Sequence, residues 1–438
     1  MKKTIIENVT ILTMNENRDI IKKGGLIIED GRIKKIFKDP FNIGEYKDYE
    51  IIDGKEGILI PGFVNTHCHG SMVPFRTLAD DCKDRLKKYL FPLEDKIVDE
   101  NFVYIGAKYA IAEMLLAGVT TFCDMYYYED FVAKAAEEMG IRGVLGETIV
   151  NFIAPDTDIA YGGIGYSKKF IEKWKNHNLI TPAIAPHATY TNDKEHLIEC
   201  HKIARENNVQ MIMHLAEMDF EVKEIKEKYN MSPVEYLDSI GVLDENFIAA
   251  HCVLVNDKDI DILDKRKVSI SHNMGANSKG AKGVAPVKEY RRRKMKVGLG
   301  TDGPMSGNTL DIITQMSLVG KIHKLFNEDR TLFPAIEILE MATIGGARVL
   351  NLQEKIGSIE VGKRADITIF ETDSVNMQPI YDYYSLLVYS ANPSNVSTVM
   401  VEGELLVKDK KLIKVSLKEL KNAMDSLKGN IEEYIKSI

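Results

Sequence analysis

The sequence predicts an α/β protein, a (β/α)8 barrel of the TIM type that carries a small β-sandwich domain built from both ends of the chain. Three observations predict it. Eight short apolar runs are separated by helix-length amphipathic stretches, the pattern of βα units around a parallel sheet. Alternating, strand-like text flanks that region on both sides, and most of the histidines fall at the ends of the eight runs.

A chain of 438 residues exceeds one ordinary domain and suits a barrel with one satellite. Segment 1–57 is read as the N-terminal part of the small domain, 58–355 as the barrel, and 356–438 as the C-terminal part of the small domain with a terminal helix. With 45% apolar and 28% charged residues the chain can fill a large core and does not read as disordered. A formal net charge of -8 argues against a nucleic-acid groove. The one dense basic run, Arg291 to Lys296, reads as a solvated helix end. After Met1-Lys2-Lys3 the chain meets Glu7 and Asn8 where a leader needs an unbroken apolar stretch. No run approaches the roughly 18 apolar residues that span a bilayer, so no membrane partner is expected. Five cysteines without a CxxC spacing predict a reducing, cytoplasmic setting.

The elements follow in order. Thr4 to Val9, Gly25 to Glu29 and Ile33 to Phe37 alternate as strands, the last two joined by the turn signal Asp30-Gly31. The barrel runs are Ile58 to Asn65, Val119 to Asp124, Gly143 to Thr148, Thr181 to Pro186, Val209 to His214, Phe247 to His251, Val268 to His272, and Lys296 to Thr301. The span between the first two is long enough to put the strand count in question by one. A helical stretch from Pro334 to Leu350 leads to strands at Ala365 to Phe370 and Thr398 to Val407, then to an amphipathic helix from about Ser416.

Of ten histidines, His67, His69, His187, His214, His251 and His272 stand at or just past the C-terminal ends of the runs, where barrel enzymes keep their active sites. His67 and His69 are two residues apart, so a continuing strand points both to one face, as two ligands of one ion require. His214 and His251 each end an apolar run on a polar residue, and Asp302 follows the glycine-rich run Gly298 to Thr301. Three places past His214, Glu217 lies where a turn could return its carboxylate over the barrel mouth. Neither H-x-E with P-C-x-x-C, nor H-E-x-x-H, nor a Gly-rich phosphate loop or G-x-S-x-G occurs.

The strings PGFVNTHCHG, HLAE, AAHC and GLGTDG, in this order, resemble the amidohydrolase superfamily over essentially the whole chain, and GSIEVGKRADITIF resembles its composite domain. HGSMVPFRTLADD, FPLED, CDMYYYED and APHATY are similar to the branch of 5'-methylthioadenosine and S-adenosylhomocysteine deaminases, related to triazine hydrolases and guanine deaminases. The resemblance implies metal ligands His67, His69, His214 and Asp302. It implies that Glu217 protonates the ring nitrogen, that His251 orients the attacking water and that Asp302 takes that water's proton. It implies substrate contacts from Glu94, His187, Glu217 and Ser306. Bimetallic members use a carboxylated lysine, and neither the third nor the fourth run holds a lysine, so one divalent ion is expected, zinc by its ligand set, with iron(II) or manganese(II) tolerated.

The implied reaction is deamination of an adenosine-like nucleoside, of the 5'-methylthioadenosine, 5'-deoxyadenosine or S-adenosylhomocysteine type, by a hydroxide held on the metal, with release of ammonia. The implied partner is this small heterocyclic substrate, and self-association into a homo-oligomer stays compatible with it. A second reading keeps the chemistry on another aminated ring, of the guanine, pterin or triazine type. No arginine stands between Arg142 and Arg205 to meet a substrate carboxylate, Leu145-Gly146-Glu147 has an acid where the branch has an arginine, and the only tryptophan, Trp174, lies far from the loop that often carries one. The string SHNMGAN (Ser271 to Asn277) also departs from the branch, so His272 is expected to brace that loop. A third reading, a catalytically silent scaffold, is opposed by the complete set of His67, His69, His214, Glu217, His251 and Asp302.

Overall fold

The structure, a computed structural model, describes residues 3–83 and 85–437. Met1 and Lys2 of the stretch read above for a leader, and Asp84 in the loop after Asp81, lie outside the described residues.

The chain begins with β1 (Lys3–Leu12), β2 (Ile20–Glu29) and β3 (Arg32–Lys38), an antiparallel meander. The Asp30-Gly31 signal forms the β2–β3 turn with both residues at positive φ, +50° and +74°, the backbone that hairpins with two-residue turns demand. β4 (Glu50–Pro61) then runs parallel to β1, pairing Ile58 with Thr10 and Leu59 with Ile11.

The run expected as one barrel strand, Ile58 to Asn65, is therefore divided. Residues to Pro61 belong to the small sheet, and the barrel starts at β5 (Phe63–Cys68). Gly62 makes the break: its N–H donates to the Asp366 carbonyl, and a Cβ there would meet the Thr120 side chain at 2.1–2.6 Å. Apolar text alone carries no mark of which sheet it joins.

Seven further parallel strands follow: β6 (Val119–Tyr126), β7 (Arg142–Ile149), β8 (Ile180–Pro186), β9 (Gln210–Leu215), β10 (Phe247–His251), β11 (Ser269–His272) and β12 (Val297–Leu299). The eight expected runs are thus the eight strands. The long span between the first two holds the helices Phe91–Ile97 and Glu100–Leu116, the second capped by the Asp99 side chain on the Phe102 amide. Almost every barrel-strand residue is buried, as a sheet covered on both faces requires.

Side chains and single amides close the barrel between its last and first strands. Both Thr301 and Asp302 donate their N–H to the His67 carbonyl, at 3.1 and 3.0 Å. Asn65 answers from the other side, donating to Thr301 Oγ1 at 2.8 Å and accepting from the Thr301 amide at 3.2 Å.

Past the barrel, β13 (Ile367–Phe370), β14 (Val396–Val401), β15 (Glu404–Lys408) and β16 (Lys411–Leu412) complete one mixed eight-stranded sheet in the order β16-β15-β14-β13-β4-β1-β2-β3. The stretch expected as a strand at Thr398 to Val407 is a hairpin that turns at Glu402-Gly403, both at positive φ. The sheet curls on itself: the β2–β3 turn touches the β14–β15 turn, with a Cβ on Gly31 falling 2.6 Å from the Glu402 carbonyl, and Arg32 bridges Arg364. Ile6, Leu26, Leu59, Ile367 and Met400 consequently share one apolar core.

Two buried ion pairs fasten the domains together. Arg142, which opens β7, holds Asp366 at 2.9 Å and also contacts Glu402. The helix Leu417–Ser437 packs on Glu100–Leu116. Among the described residues no helix is long and apolar enough to cross a membrane.

Candidate active site

The strand ends converge on one point. His67, His214, His251 and Asp302 bring ligand atoms within 4.8 Å of one another, all buried. His69 joins them, its Nε2 lying 3.1 Å from His214 Nε2 and 3.3 Å from an Asp302 oxygen. The four residues expected as ligands are therefore together, with His251 as a fifth donor.

Local backbone explains the aim of each side chain. β5 carries His67, and His69 just past it is steered by the loop that Asp124, on β6, gathers: its carboxylate accepts from the Gly70 amide at 2.6 Å and from Cys68 Sγ at 3.1 Å. His251 and Asp302 adopt φ of +73° and +60°, a left-handed backbone that costs a non-glycine residue roughly 1 kcal/mol or more. That turn swings each residue inward at or just past the end of its strand. Ala216, at φ +50°, does the same for Glu217, and the buried Glu221 carboxylate fixes the turn by accepting from both the Ala216 and Glu217 amides, at 3.1 and 3.0 Å.

Hydrogen bonds determine which ring nitrogen is free. A nitrogen facing a carbonyl oxygen must carry the proton, since the oxygen can only accept. His69 Nδ1 faces the Met125 carbonyl, His214 Nδ1 the His187 carbonyl at 2.8 Å, and His251 Nδ1 the Asn277 side-chain oxygen at 2.8 Å. In their neutral forms all three rings therefore turn a bare Nε2 lone pair toward the cluster. Among the described residues no hydrogen bond reaches either nitrogen of the buried His67, nor Nε2 of His251. Converging lone pairs beside a carboxylate, in a buried site, are the donor set of a divalent cation, which resolves these unmet groups.

Electrostatics agree with that reading. Burial, then the neighbouring imidazoles, hold His67 well below the usual histidine range, and burial does the same to His214. His69 is the exception: burial opposes the proton but the bond to Asp302 outweighs it, raising the ring to about 9, so this ring must release a proton to act as a metal donor. Asp302 stays ionised despite burial, held well below the usual carboxylate range by His69, His251 and Lys282.

Glu217 reaches the cluster 3.5 Å from His251 Nε2. It makes an ion pair with Lys282, which sequence reasoning missed; the lysine sits in the loop after the altered SHNMGAN string with 13% of its side chain exposed. Burial works against the Glu217 charge, yet His251 and Lys282 bring its carboxyl down to about 2. Asn277 was also missed as the partner of His251. It could have been suspected only as an uncharged side chain buried beside a histidine.

The remaining expected residues surround this centre. Glu94, buried on Phe91–Ile97, accepts from the Tyr126 hydroxyl at 2.9 Å, and burial pushes its carboxyl up to about 7. It also lines a cavity of about 270 Å³ with Phe91, Tyr127, Phe152 and Ile153. His187, at the end of β8, packs 4.8 Å from the His214 ring and is lowered to about 4 by burial. Ser306 stands in the turn after Asp302 with its amide on the Gly303 carbonyl, and among the described residues no hydrogen bond joins it to the cluster. His272 faces away, its Nε2 3.0 Å from His323 Nε2. Glu147 is wholly buried and accepts from the Glu129 amide at 3.0 Å, so this acid is a packing element of the barrel wall.

Comparisons with known proteins point the same way. The model of the amidohydrolase family matches residues 58–406. A 5-methylthioadenosine/S-adenosylhomocysteine deaminase of Thermodesulfovibrio yellowstonii is 39% identical over 410 residues, 93% of each chain. A 5'-deoxyadenosine deaminase of Methanosphaera stadtmanae is 40% identical over 416 residues, covering 94% of this chain and 95% of that one. Among solved structures, an adenosine deaminase from Xanthomonas campestris with bound zinc superposes with a TM-score of 0.94 at 26% identity, covering 99% of both chains.

Proposed function

Because this chain belongs to the amidohydrolase family, we propose that it is a metal-dependent aminohydrolase that removes the amino group from an adenosine-like nucleoside and releases ammonia. The substrates it would take are of the 5'-methylthioadenosine or 5'-deoxyadenosine type, and S-adenosylhomocysteine to the extent its charged tail is tolerated. The observation that carries the reading is the convergence of four imidazoles and Asp302 on one point with Glu217 3.5 Å from His251.

His67, His69, His214 and Asp302 would hold the ion, and zinc suits three imidazoles and a carboxylate. A divalent ion in this setting acidifies water, supplying a nucleophile at neutral pH. Asp302 takes one proton that water gives up. His251, whose Nδ1–H is committed to Asn277, offers its bare Nε2 to orient the water. Glu217 starts ionised, so it serves as a relay: it takes one of the water's two protons and delivers it to the ring nitrogen beside the attacked carbon, while the other, taken by Asp302, leaves with the amino group as ammonia. Glu94 and His187 would contact the sugar and ring, and Ser306 would reach the substrate from the loop after Asp302.

Glu147 favours a second reading. It is an acid buried in the barrel wall where a guanidinium would be needed to receive a carboxylate tail, which turns attention to smaller aminated rings of the guanine, pterin or triazine type. Purified protein of known metal content, assayed for ammonia release against nucleosides, free bases, pterins and triazines, decides between them. Release from 5'-substituted adenosines but not from free bases is the expected result. Release from free bases or triazines alone would overturn it.

A further inference from the structure

Among the described residues Lys282 is the one lysine or arginine in contact with the proposed proton relay, and beyond keeping Glu217 ionised it has no part in the chemistry above. Its side chain is 13% exposed and its ammonium contacts Glu217 Oε1. The position is built: the Lys282 amide donates to the Asn277 carbonyl at 2.9 Å, and Asn277 is the residue whose side chain orients His251. Gly280 lies close to it, a Cβ there falling 2.9 Å from Lys282 Cε. Lysine carries three donors, and the Glu217 contact occupies one. A ligand that reaches Glu217 also reaches the remaining donors.

The ring nitrogen that Glu217 would meet has two neighbours. One is the carbon under attack, which must face His251 and Asp302. The other is left toward Lys282. In an adenine ring that second neighbour is a C–H, which accepts nothing, and it would strand buried ammonium protons at a cost of about 1–3 kcal/mol. An exocyclic oxygen there would take one of them. A carboxylate and an ammonium side by side complement an amide-like edge, N–H beside C=O.

We propose that Lys282 is a specificity-determining residue that selects rings bearing an oxo group on the carbon next to the nitrogen engaged by Glu217, so that 2-oxo-6-aminopurine nucleosides are preferred over adenosines. This rests on the reading of Glu217 as the ring-nitrogen partner and deepens it by naming the substituent read beside that nitrogen.

Binding and turnover separate the two ideas. The metal-loaded, full-length protein is titrated by calorimetry with 6-methylpurine riboside and its 2-oxo counterpart, a pair without the amino group and therefore inert to deamination. Wild type is expected to bind the 2-oxo ligand at least 10-fold more tightly. Lys282→Met is expected to collapse that ratio to within about 3-fold, and Lys282→Gln, which keeps a donor, to fall between. A wild-type ratio at or below one overturns the proposal, as does a preference that survives in Lys282→Met. Ammonia release from adenosine and 2-oxoadenosine is measured alongside. If both bind and neither is deaminated, the proposed reaction fails while the binding ratio still decides the role of Lys282.

Discussion

At the scale of single residues, the site is a set of unmet demands that a cation and a substrate would meet. Among the described residues no hydrogen bond reaches either nitrogen of His67, so His67→Ala removes a donor without freeing a hydrogen-bonded group, and metal content measured by atomic spectrometry should fall to a small fraction of one ion per chain. Full metal retention in that variant would remove His67 from the ligand set. Glu217→Gln should keep the ion, since Glu217 meets the cluster only through His251, yet lower kcat by about 10² or more; near-normal turnover would exclude Glu217 as the relay. Glu94 gives a pH-dependent test. Below about pH 4.5 its carboxyl is neutral in folded and unfolded chains alike. Between that value and about 7 the unfolded chain ionises first and draws stability from the fold, and above about 7 the whole penalty stands. Glu94→Gln, which still accepts from Tyr126, should therefore stabilise the protein by about 1–3 kcal/mol near pH 8 and leave it unchanged near pH 4, by denaturant titration. The histidines and acids were legible in the sequence because each interrupts apolar text at a strand end. Lys282 and Asn277 were not, because they lie in a loop without periodicity and their partners are distant in the chain.

At the scale of elements, the ends of the strands do the positioning. β12 is only three residues long, and its register against β5 depends on the Asn65 and His67 contacts to Thr301 and Asp302. Gly300 makes that approach feasible: a Cβ would stand 2.2 Å from Asn273 Oδ1 and 2.7 Å from Ser271 Oγ. Gly300→Ala should displace Asp302 from the cluster, weakening metal binding by about 10-fold or more and lowering stability by about 1–3 kcal/mol, measurable by competition with a chelating dye and by melting. Unaltered metal affinity would mean that Asp302 is held by other contacts. Barrel strands two to eight were read in place, and the first in part, because a parallel strand buried on both faces announces itself as an unbroken apolar run. The Ile58 to Asn65 run was assigned to one sheet because hydrophobicity does not encode the break at Gly62, which depends on Thr120 and Asp366, residues far along the chain. Likewise Thr398 to Val407 hid a hairpin, since Glu402-Gly403 is a weaker turn signal than the Asp30-Gly31 pair that was recognised.

At the scale of the whole molecule, the small sheet is bolted to the barrel by charge. Arg142 is almost wholly buried between Asp366 and Glu402, so Arg142→Leu leaves the buried Asp366 carboxylate without its cation, while Glu402 keeps Arg364 at 2.7 Å, and should cost about 3–5 kcal/mol, seen as a lowered Tm. If only the small sheet loosened, the barrel would melt separately at its old temperature; a single, earlier transition is the expected result. The two-ended construction was readable from strand-like text at both flanks of the barrel, whereas the clamp was not, because Arg142 and Glu402 are 260 positions apart. That separation also has a consequence in time. β4 lies between β1 and β13 in the sheet, and its second partner is encoded only at Ile367. A ribosome adding about 5–20 residues per second needs roughly 15–60 s to pass from one to the other. Throughout that interval the newborn N-terminal strands present a bare apolar edge to the cell, so the price of a site framed by both ends of the polypeptide is a prolonged appetite for chaperones.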